Sequence, residues 1–282
     1  MLSSNKIIFT FNNGKESLVF DDTLYSVSDY EGLDASEYEL TTTSNITTDG
    51  ATLKRKRVLP REITIEFDYL KNDYKSETRQ KLIRFFTPYR SGTLGINYMG
   101  FYRTIEYEVS AFKISSTNIY EPISAQVTLS CMDPNFKAEE TAVPIVTLIG
   151  GWKWKFKLPF KLKQYGELEK VIYNAGDTST PIEIFFKGPA VSPTVYLDDT
   201  GEYIRVQKDL AAGETLYINT GFRKKTVQII SDTGTEDAWD YLDMTSTFFW
   251  LQQGDNKISY SHTGTERSTG VEIKYNERFI GV

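Results

Sequence analysis

Apolar and polar residues alternate with a period of two along most of this chain, and that alternation constrains the fold more than any other feature. Ile63, Ile65, Phe67 and Tyr69 fall on one face, with Glu62, Thr64, Glu66 and Asp68 on the other. Ala125, Val127, Leu129 and Cys131 repeat the pattern against Ser124, Gln126, Thr128 and Ser130. It returns late in the chain, where Val271, Ile273 and Tyr275 oppose Glu272, Lys274 and Asn276. Successive side chains of a strand point to opposite faces, so these segments read as half-buried antiparallel strands. Turn chemistry agrees. Asn13-Gly14 sits between Ile7–Phe11 and Leu18–Phe20, and both residue types tolerate positive φ. Asp199-Thr200-Gly201 and Ala212-Gly213 serve later strands in the same way.

A single segment, Ser76 to about Phe86, reads as a helix. Ser76 is placed as its N-cap, Leu82, Ile83, Phe85 and Phe86 form an apolar stripe, and Pro88 ends it. The expected fold class is therefore all-β with one short helix. At 282 residues the chain is long enough for two cores. The first strand block closes at Cys131-Met132-Asp133-Pro134, and the polar, acidic run from Lys137 leads to Pro144 and Gly150-Gly151. This divides the chain into a domain over 1–137, a linker over 138–150 and a second domain over 151–282.

The residues an enzyme needs are sparse. There is one cysteine and one histidine, with no glycine-rich phosphate loop. His262, at a strand end entering a turn, lacks a nucleophile signature beside it. Cys131, on the inward face of its strand, reads as a small apolar side chain. The adjacent carboxylates Asp21-Asp22, Glu139-Glu140 and Asp198-Asp199 fall at turns or in the linker, where local hydrogen bonding explains them. No ligand spacing fits zinc or calcium, so neither metal nor cofactor is expected. The net charge of -6 disfavours nucleic-acid binding. No stretch approaches the roughly 20 apolar residues of a membrane span, and the first residues lack a signal-peptide core, so a soluble product made in the cytoplasm is expected.

Three surface features remain. Lys54-Arg55-Lys56-Arg57 reads as one strand or hairpin arm, facing solvent or a neighbouring subunit. Trp152-Lys153-Trp154-Lys155-Phe156-Lys157 reads as a strand with one apolar and one basic face. Trp239 and Tyr241 lie in a polar, turn-rich stretch where aromatics have less reason to be, and they are the candidates for contact with a partner or a glycan.

The order of motifs resembles one family. Ser28-Asp29-Tyr30-Glu31-Gly32, Arg61-Glu62-Ile63-Thr64-Ile65-Glu66-Phe67, the helix Thr78–Leu82 and Leu129-Ser130-Cys131-Met132-Asp133-Pro134 are similar to the first domain of the distal tail proteins of siphovirus-type bacteriophages. Tyr173-Asn174-Ala175-Gly176-Asp177, Lys187-Gly188-Pro189-Ala190, Leu210–Thr220 and Leu251–Ile258 are similar to their second domain. The early glycine-rich turn of many relatives is represented here only by Asp49-Gly50.

The resemblance implies a split β-barrel-like ring domain followed by a galectin-like β-sandwich, and a structural rather than enzymatic role at the virion tail tip. It implies a homo-hexamer that joins the tail tube protein to the tail-tip hub protein. Side-fibre or receptor-binding proteins would dock outside, and DNA would pass through the channel without specific binding. The rival reading is a lectin-like surface module that binds carbohydrate through exposed aromatics. A glycoside hydrolase of sandwich fold is a third. Sequence leaves open the pore-lining residues, the host, and whether the source is a phage, a prophage or a tail-like bacteriocin.

Overall fold

The computed structural model describes residues 7–44, 49–71, 75–115, 122–145, 148–150, 163–165, 169–263 and 270–282. They form two compact units, one of residues 1–139 with 279–282 and one of residues 140–278. The chain thus leaves the first unit once and comes back to it in its last four residues. The elements in chain order are β1 (Ile8–Asn12), β2 (Ser17–Phe20), β3 (Tyr25–Glu31), β4 (Tyr38–Ser44), β5 (Ala51–Val58), β6 (Arg61–Tyr69) and α1 (Lys75–Phe85). Then come β7 (Ser91–Tyr98), β8 (Phe101–Ser115), β9 (Ile123–Cys131) and β10 (Phe136–Ile145).

In the first unit the antiparallel order is β2-β1-β7-β8-β9-β6-β3. The sheet curls around one aromatic core without closing. Its end strands β2 and β3 are joined by a short turn, but no ladder links them among the described residues. Alternation does the work here. Ile63, Ile65 and Phe67 are buried on β6, and Ala125, Val127, Leu129 and Cys131 on β9, as the period-two pattern requires. Phe11 and Phe20 lie with ring centroids 4.9 Å apart, Phe20 and Phe67 4.4 Å apart, and Phe11 meets Phe86 edge-on at 5.2 Å. Such pairs add about 0.5–1.5 kcal/mol each beyond the area they bury.

The helix is the expected one with two differences. It starts at Lys75, so Ser76 lies inside the first turn rather than capping it. Leu82, Phe85 and Phe86 enter the core at i, i+3 and i+4, whereas Ile83 is rotated one position onward and is exposed. The stretch read as a linker, 138–150, is largely strand. β10 runs to Ile145, whose side chain is buried, and Leu148–Gly150 forms a further strand, β11. Its polar side chains hid a segment whose backbone hydrogen bonds are made in a sheet.

The remaining strands are β12 (Lys163–Tyr165), β13 (Glu169–Asn174), β14 (Ile182–Lys187), β15 (Thr194–Leu197), β16 (Glu202–Arg205), β17 (Thr215–Asn219), β18 (Thr226–Ser231) and β19 (Gly234–Asp237). A 3₁₀ turn at Trp239–Tyr241 precedes β20 (Gly254–Ser261) and β21 (Gly270–Phe279). The second unit is a β-sandwich. One layer has the order β19-β18-β17-β14-β21, the other β13-β20-β15-β16. Ile184, Phe186, Leu216, Ile218, Val227 and Ile273 point inward from the first layer, Val195, Leu197, Ile204, Ile258 and Tyr260 from the second. Phe186 meets Tyr260 edge-on at 5.5 Å across the two layers. Trp152–Lys157 lies outside the described residues.

Three of the motifs that carried the resemblance converge on one side chain. Arg61 is 5% exposed, and its five N–H donors all find acceptors. Nε donates to Pro134 O at 2.8 Å and Nη1 to Gly32 O at 2.6 Å and to Asp34 O. Nη2 donates to Ser36 Oγ at 2.8 Å and to Ile280 O in the returning C-terminal residues. The guanidinium also stacks over Phe136, 4.6 Å from the ring centroid. Gly32 has φ of +86°, and a Cβ there would sit 2.0 Å from Glu62 O, so only glycine permits this approach. Burial lowers the pKa of Arg61 from its usual value, but an arginine stays charged and needs every one of those acceptors.

The motifs of the second block are structural in the same sense. Asn174 is fully buried, donates to Thr178 O at 3.1 Å and accepts from Gly176 N at 3.0 Å. Asn256, 1% exposed, accepts from Gln252 N at 2.7 Å and donates to Gln252 O and Gly254 O.

Arg61→Met should lower the unfolding free energy by about 3 kcal/mol or more, the scale of stranding several buried acceptors. Arg61→Lys should recover only part of it, because an ammonium has three donors. Urea denaturation followed by tryptophan and tyrosine fluorescence reads both variants; an unshifted midpoint for Arg61→Met would contradict the assignment.

Candidate functional site

The sites that could have carried chemistry are occupied by structural roles. Asp21 Oδ1 accepts from Thr23 N and Thr23 Oγ1, and those bonds lower its pKa. Asp22 Oδ1 accepts from Ser26 Oγ at 2.7 Å. Asp198 accepts from Ser259 Oγ at 2.7 Å and Asp199 from Lys257 N at 2.8 Å, which fixes the β15–β16 turn against β20. Glu140 is held by Lys274 Nζ at 2.8 Å. Cys131 is fully buried, and burial pushes its pKa up to about 12, so the thiol stays neutral. His262 is half-buried just past β20, and burial lowers its pKa. Among the described residues no group of three or more histidine, cysteine or acidic side chains is placed to hold a metal ion. No helix among them is long and apolar enough to cross a membrane.

What the structure offers instead is surface. β4 and β5 form a separate two-stranded hairpin in which every residue is exposed. The register pairs Tyr38 with Val58, Leu40 with Lys56 and Thr42 with Leu53, so Tyr38, Leu40, Leu53 and Val58 share one face. Glu39 pairs with Arg57, Thr41 with Arg55 and Thr43 with Thr52 on the other. A shift between Thr41 and Thr42 leaves Lys54 as the extra residue. The basic run thus lies on a hairpin arm. Lys56 Nζ stands 4.2 Å over the Tyr38 ring.

In the second unit Trp239 and Tyr241 occupy the 3₁₀ turn, 40% and 38% exposed. Trp239 lies against Phe248 with ring centroids 5.5 Å apart, and Lys225 Nζ stands 4.9 Å from the Phe248 ring. Lys208 Nζ lies 4.4 Å over Tyr241 and ion-pairs with Glu236 at 2.6 Å. Tyr241 is therefore a half-open ring beneath an ammonium group, and Trp239 a half-open ring against Phe248, which has an ammonium group over it. Phe248 and Lys208 complete this surface; Phe248 follows the polar stretch directly, whereas Lys208 is distant along the chain and carries no sequence cue.

The fold and the second unit have known counterparts. Residues 175–279 match the family model described as the siphovirus-type tail component, C-terminal domain. No curated protein matches the chain. Solved phage structures share the fold over nearly the full length. SPP1 Dit (gp 19.1), described as a paradigm of the hub adsorption apparatus in phages infecting Gram-positive bacteria, aligns with a TM-score of 0.68 at 14% identity, covering 96% of this chain and 99% of that one. A chain of the phage P2 baseplate in its activated conformation with Ca aligns at 0.61 and 12% identity, covering 98% and 100%. The p2 baseplate with Sr gives 0.56 and 12%, covering 95% and 98%. The resemblance to distal tail proteins read from the motifs is thereby borne out, as is the fold class.

The neutral buried thiol makes a testable statement. Burial raises the pKa of both Cys131 and Tyr107 to about 12 in the folded protein, above the ordinary range of a thiol and a phenol. Their contribution to stability should be complete below about pH 9 and fall as pH rises toward 12, because the unfolded chain releases those protons first. Ellman's reagent should not react with the native protein at pH 8 and should titrate the thiol after urea unfolding; rapid native reaction would contradict the buried placement.

Proposed function

We propose that this chain is a structural protein of a phage tail tip, a distal tail protein acting as a baseplate hub component. Six copies form a ring that joins the tail tube protein to the tail-tip hub protein and leaves a channel for DNA. The observation that carries this reading is the likeness to SPP1 Dit across both units, with the family match falling independently in the second. Ring closure requires a heterologous interface, in which one patch meets a different patch on the next copy. The fully exposed hairpin arm supplies a surface suited to that. The net negative charge suits a wall past which DNA slides without adhering. The second unit serves as a docking point for side-fibre or receptor-binding proteins, and the protein performs no catalysis.

Negative-stain electron microscopy and mass photometry of the purified full chain should show a six-copy ring with radiating lobes. Material that stays single-copy at high concentration, and does not join a tail tube on mixing, would overturn the ring.

A second reading rests on Trp239 and Tyr241. Half-exposed aromatic rings, Tyr241 beneath Lys208 and Trp239 packed on Phe248, suit contact with a partner protein or a glycan. Binding on a glycan array that disappears in Trp239→Ala and Tyr241→Ala, with thermal stability retained, would assign a sugar site. Binding unchanged by both substitutions removes these residues from it.

A further inference from the structure

The β4–β5 hairpin is an anomaly for a single copy. A two-stranded ribbon with water on both faces is at best marginally stable, and this one exposes Leu40 and Leu53 by more than half. An exposed apolar strip on a free ribbon is also an aggregation hazard unless something covers it. Its charge is as unusual as its exposure. The two strands carry four cations, Lys54, Arg55, Lys56 and Arg57, against one carboxylate, Glu39, in a chain whose net charge is -6. Arg55 and Arg57 stand on the same face as Thr41, Thr43 and Thr52, so that face is basic and hydroxyl-rich.

A surface of the opposite character lies elsewhere on the same unit. The outward residues of β6 are Glu62, Thr64, Glu66 and Asp68, and those of the adjacent β9 are Ser124, Gln126, Thr128 and Ser130. Asp29 on β3 stands directly opposite Glu66, a like-charge pairing that costs stability in a sheet. Glu66 and Asp68 accept from Gln126 and Ser124, which orients their carboxylates without neutralising them. A groove of about 740 Å³ lies at the Asp68 end of this face, lined by Glu66, Asp68, Gln126 and Lys113 among others. Each surface therefore carries in excess the charge that is scarce on the other.

We infer that the β4–β5 hairpin is the clasp by which one copy of this chain holds the next, its arginine face lying over the Asp29–Glu62–Glu66–Asp68 face of the neighbour. This deepens the ring reading and rests on it. Arm and acceptor are different patches, so the contact is head-to-tail and repeats around a closed ring. Guanidinium groups suit the task because they meet carboxylates through two parallel hydrogen bonds. Association takes the arginine face of the arm out of water, while the Tyr38–Leu40–Leu53–Val58 strip lies on the opposite face of the ribbon. Pairs at a partly wet surface weaken with salt, so assembly depends on ionic strength.

The experiment is a charge swap on the full chain, read by mass photometry at 50 and 500 mM NaCl. Arg55→Glu with Arg57→Glu should raise the half-assembly concentration at least tenfold at low salt. Glu62→Lys with Glu66→Lys should do the same. All four substitutions in one chain, or an equimolar mixture of the two double variants, should restore assembly, whereas simple damage to either surface would not be repaired. All four positions are exposed, and thermal unfolding checks that each variant is folded. Should a reversal unfold the protein, Arg55→Gln with Arg57→Gln replaces it and should weaken assembly severalfold. Wild-type protein that never associates sinks the ring reading. Wild-type rings that tolerate the reversed arm, or a swap that restores nothing, overturn the clasp alone.

Discussion

The first unit depends on a buried cation whose hydrogen bonds go mostly to backbone carbonyls. Arg61 is buried at the start of β6, and all its donors go to acceptors from segments that touch nowhere else in sequence: residues 32–36, Pro134 and Ile280. Four of the five acceptors are backbone carbonyls. A buried carboxylate partner would have cost a second desolvation, whereas peptide carbonyls in a loop are polar already and must be satisfied somehow. The arrangement sets where the chain may go. Gly32 must be glycine because the loop presses on Glu62 O, Phe136 must be flat beneath the guanidinium, and the last residues must return to offer Ile280.

That frame leaves two kinds of surface free for function. The curled sheet turns one face to an aromatic core, which leaves its other face to carry carboxylates and hydroxyls. The hairpin inserted between β3 and β6 contributes nothing to that core and carries the opposite charge. In the second unit the sandwich core is mainly aliphatic with Phe186, Phe249, Tyr260 and Tyr275 among it, and Trp239 and Tyr241 stay half-exposed at the 3₁₀ turn. The one cysteine is absorbed into the interior, and the adjacent carboxylate pairs at turns are held by local hydrogen bonds.

Strand faces were legible because alternation reports burial directly; Ile63 through Tyr69 and Ala125 through Cys131 are buried as the period requires. The helix was legible to within one residue at each end, but its stripe was not, because Ile83 adjoins Leu82 in sequence and not on the helix surface. The Arg61 network was not legible as such, although the sequence carries a signal for it. Arg61 falls on the same parity as Ile63 and Ile65, as Asn174 does with Ile172 and Asn256 with Ile258. A polar residue on the inward parity announces a satisfied buried network, and it was read only as a motif letter. The stretch 138–150 was taken for a linker because polarity of side chains says little about whether backbone groups are paired. For Trp239 and Tyr241, sequence found the residues, but the lysines over Tyr241 and Phe248 come from segments distant along the chain.

The final four residues carry a lesson for engineering. Because Phe279–Val282 belong to the first unit, with Arg103 3.7 Å over the Phe279 ring and Val282 N donating to Leu33 O, the sandwich is an insert and not an appendage. Grafting a different outer module onto this scaffold therefore calls for two splice points, near 139 and 279. A stop codon placed anywhere in the sandwich removes a piece of its host as well.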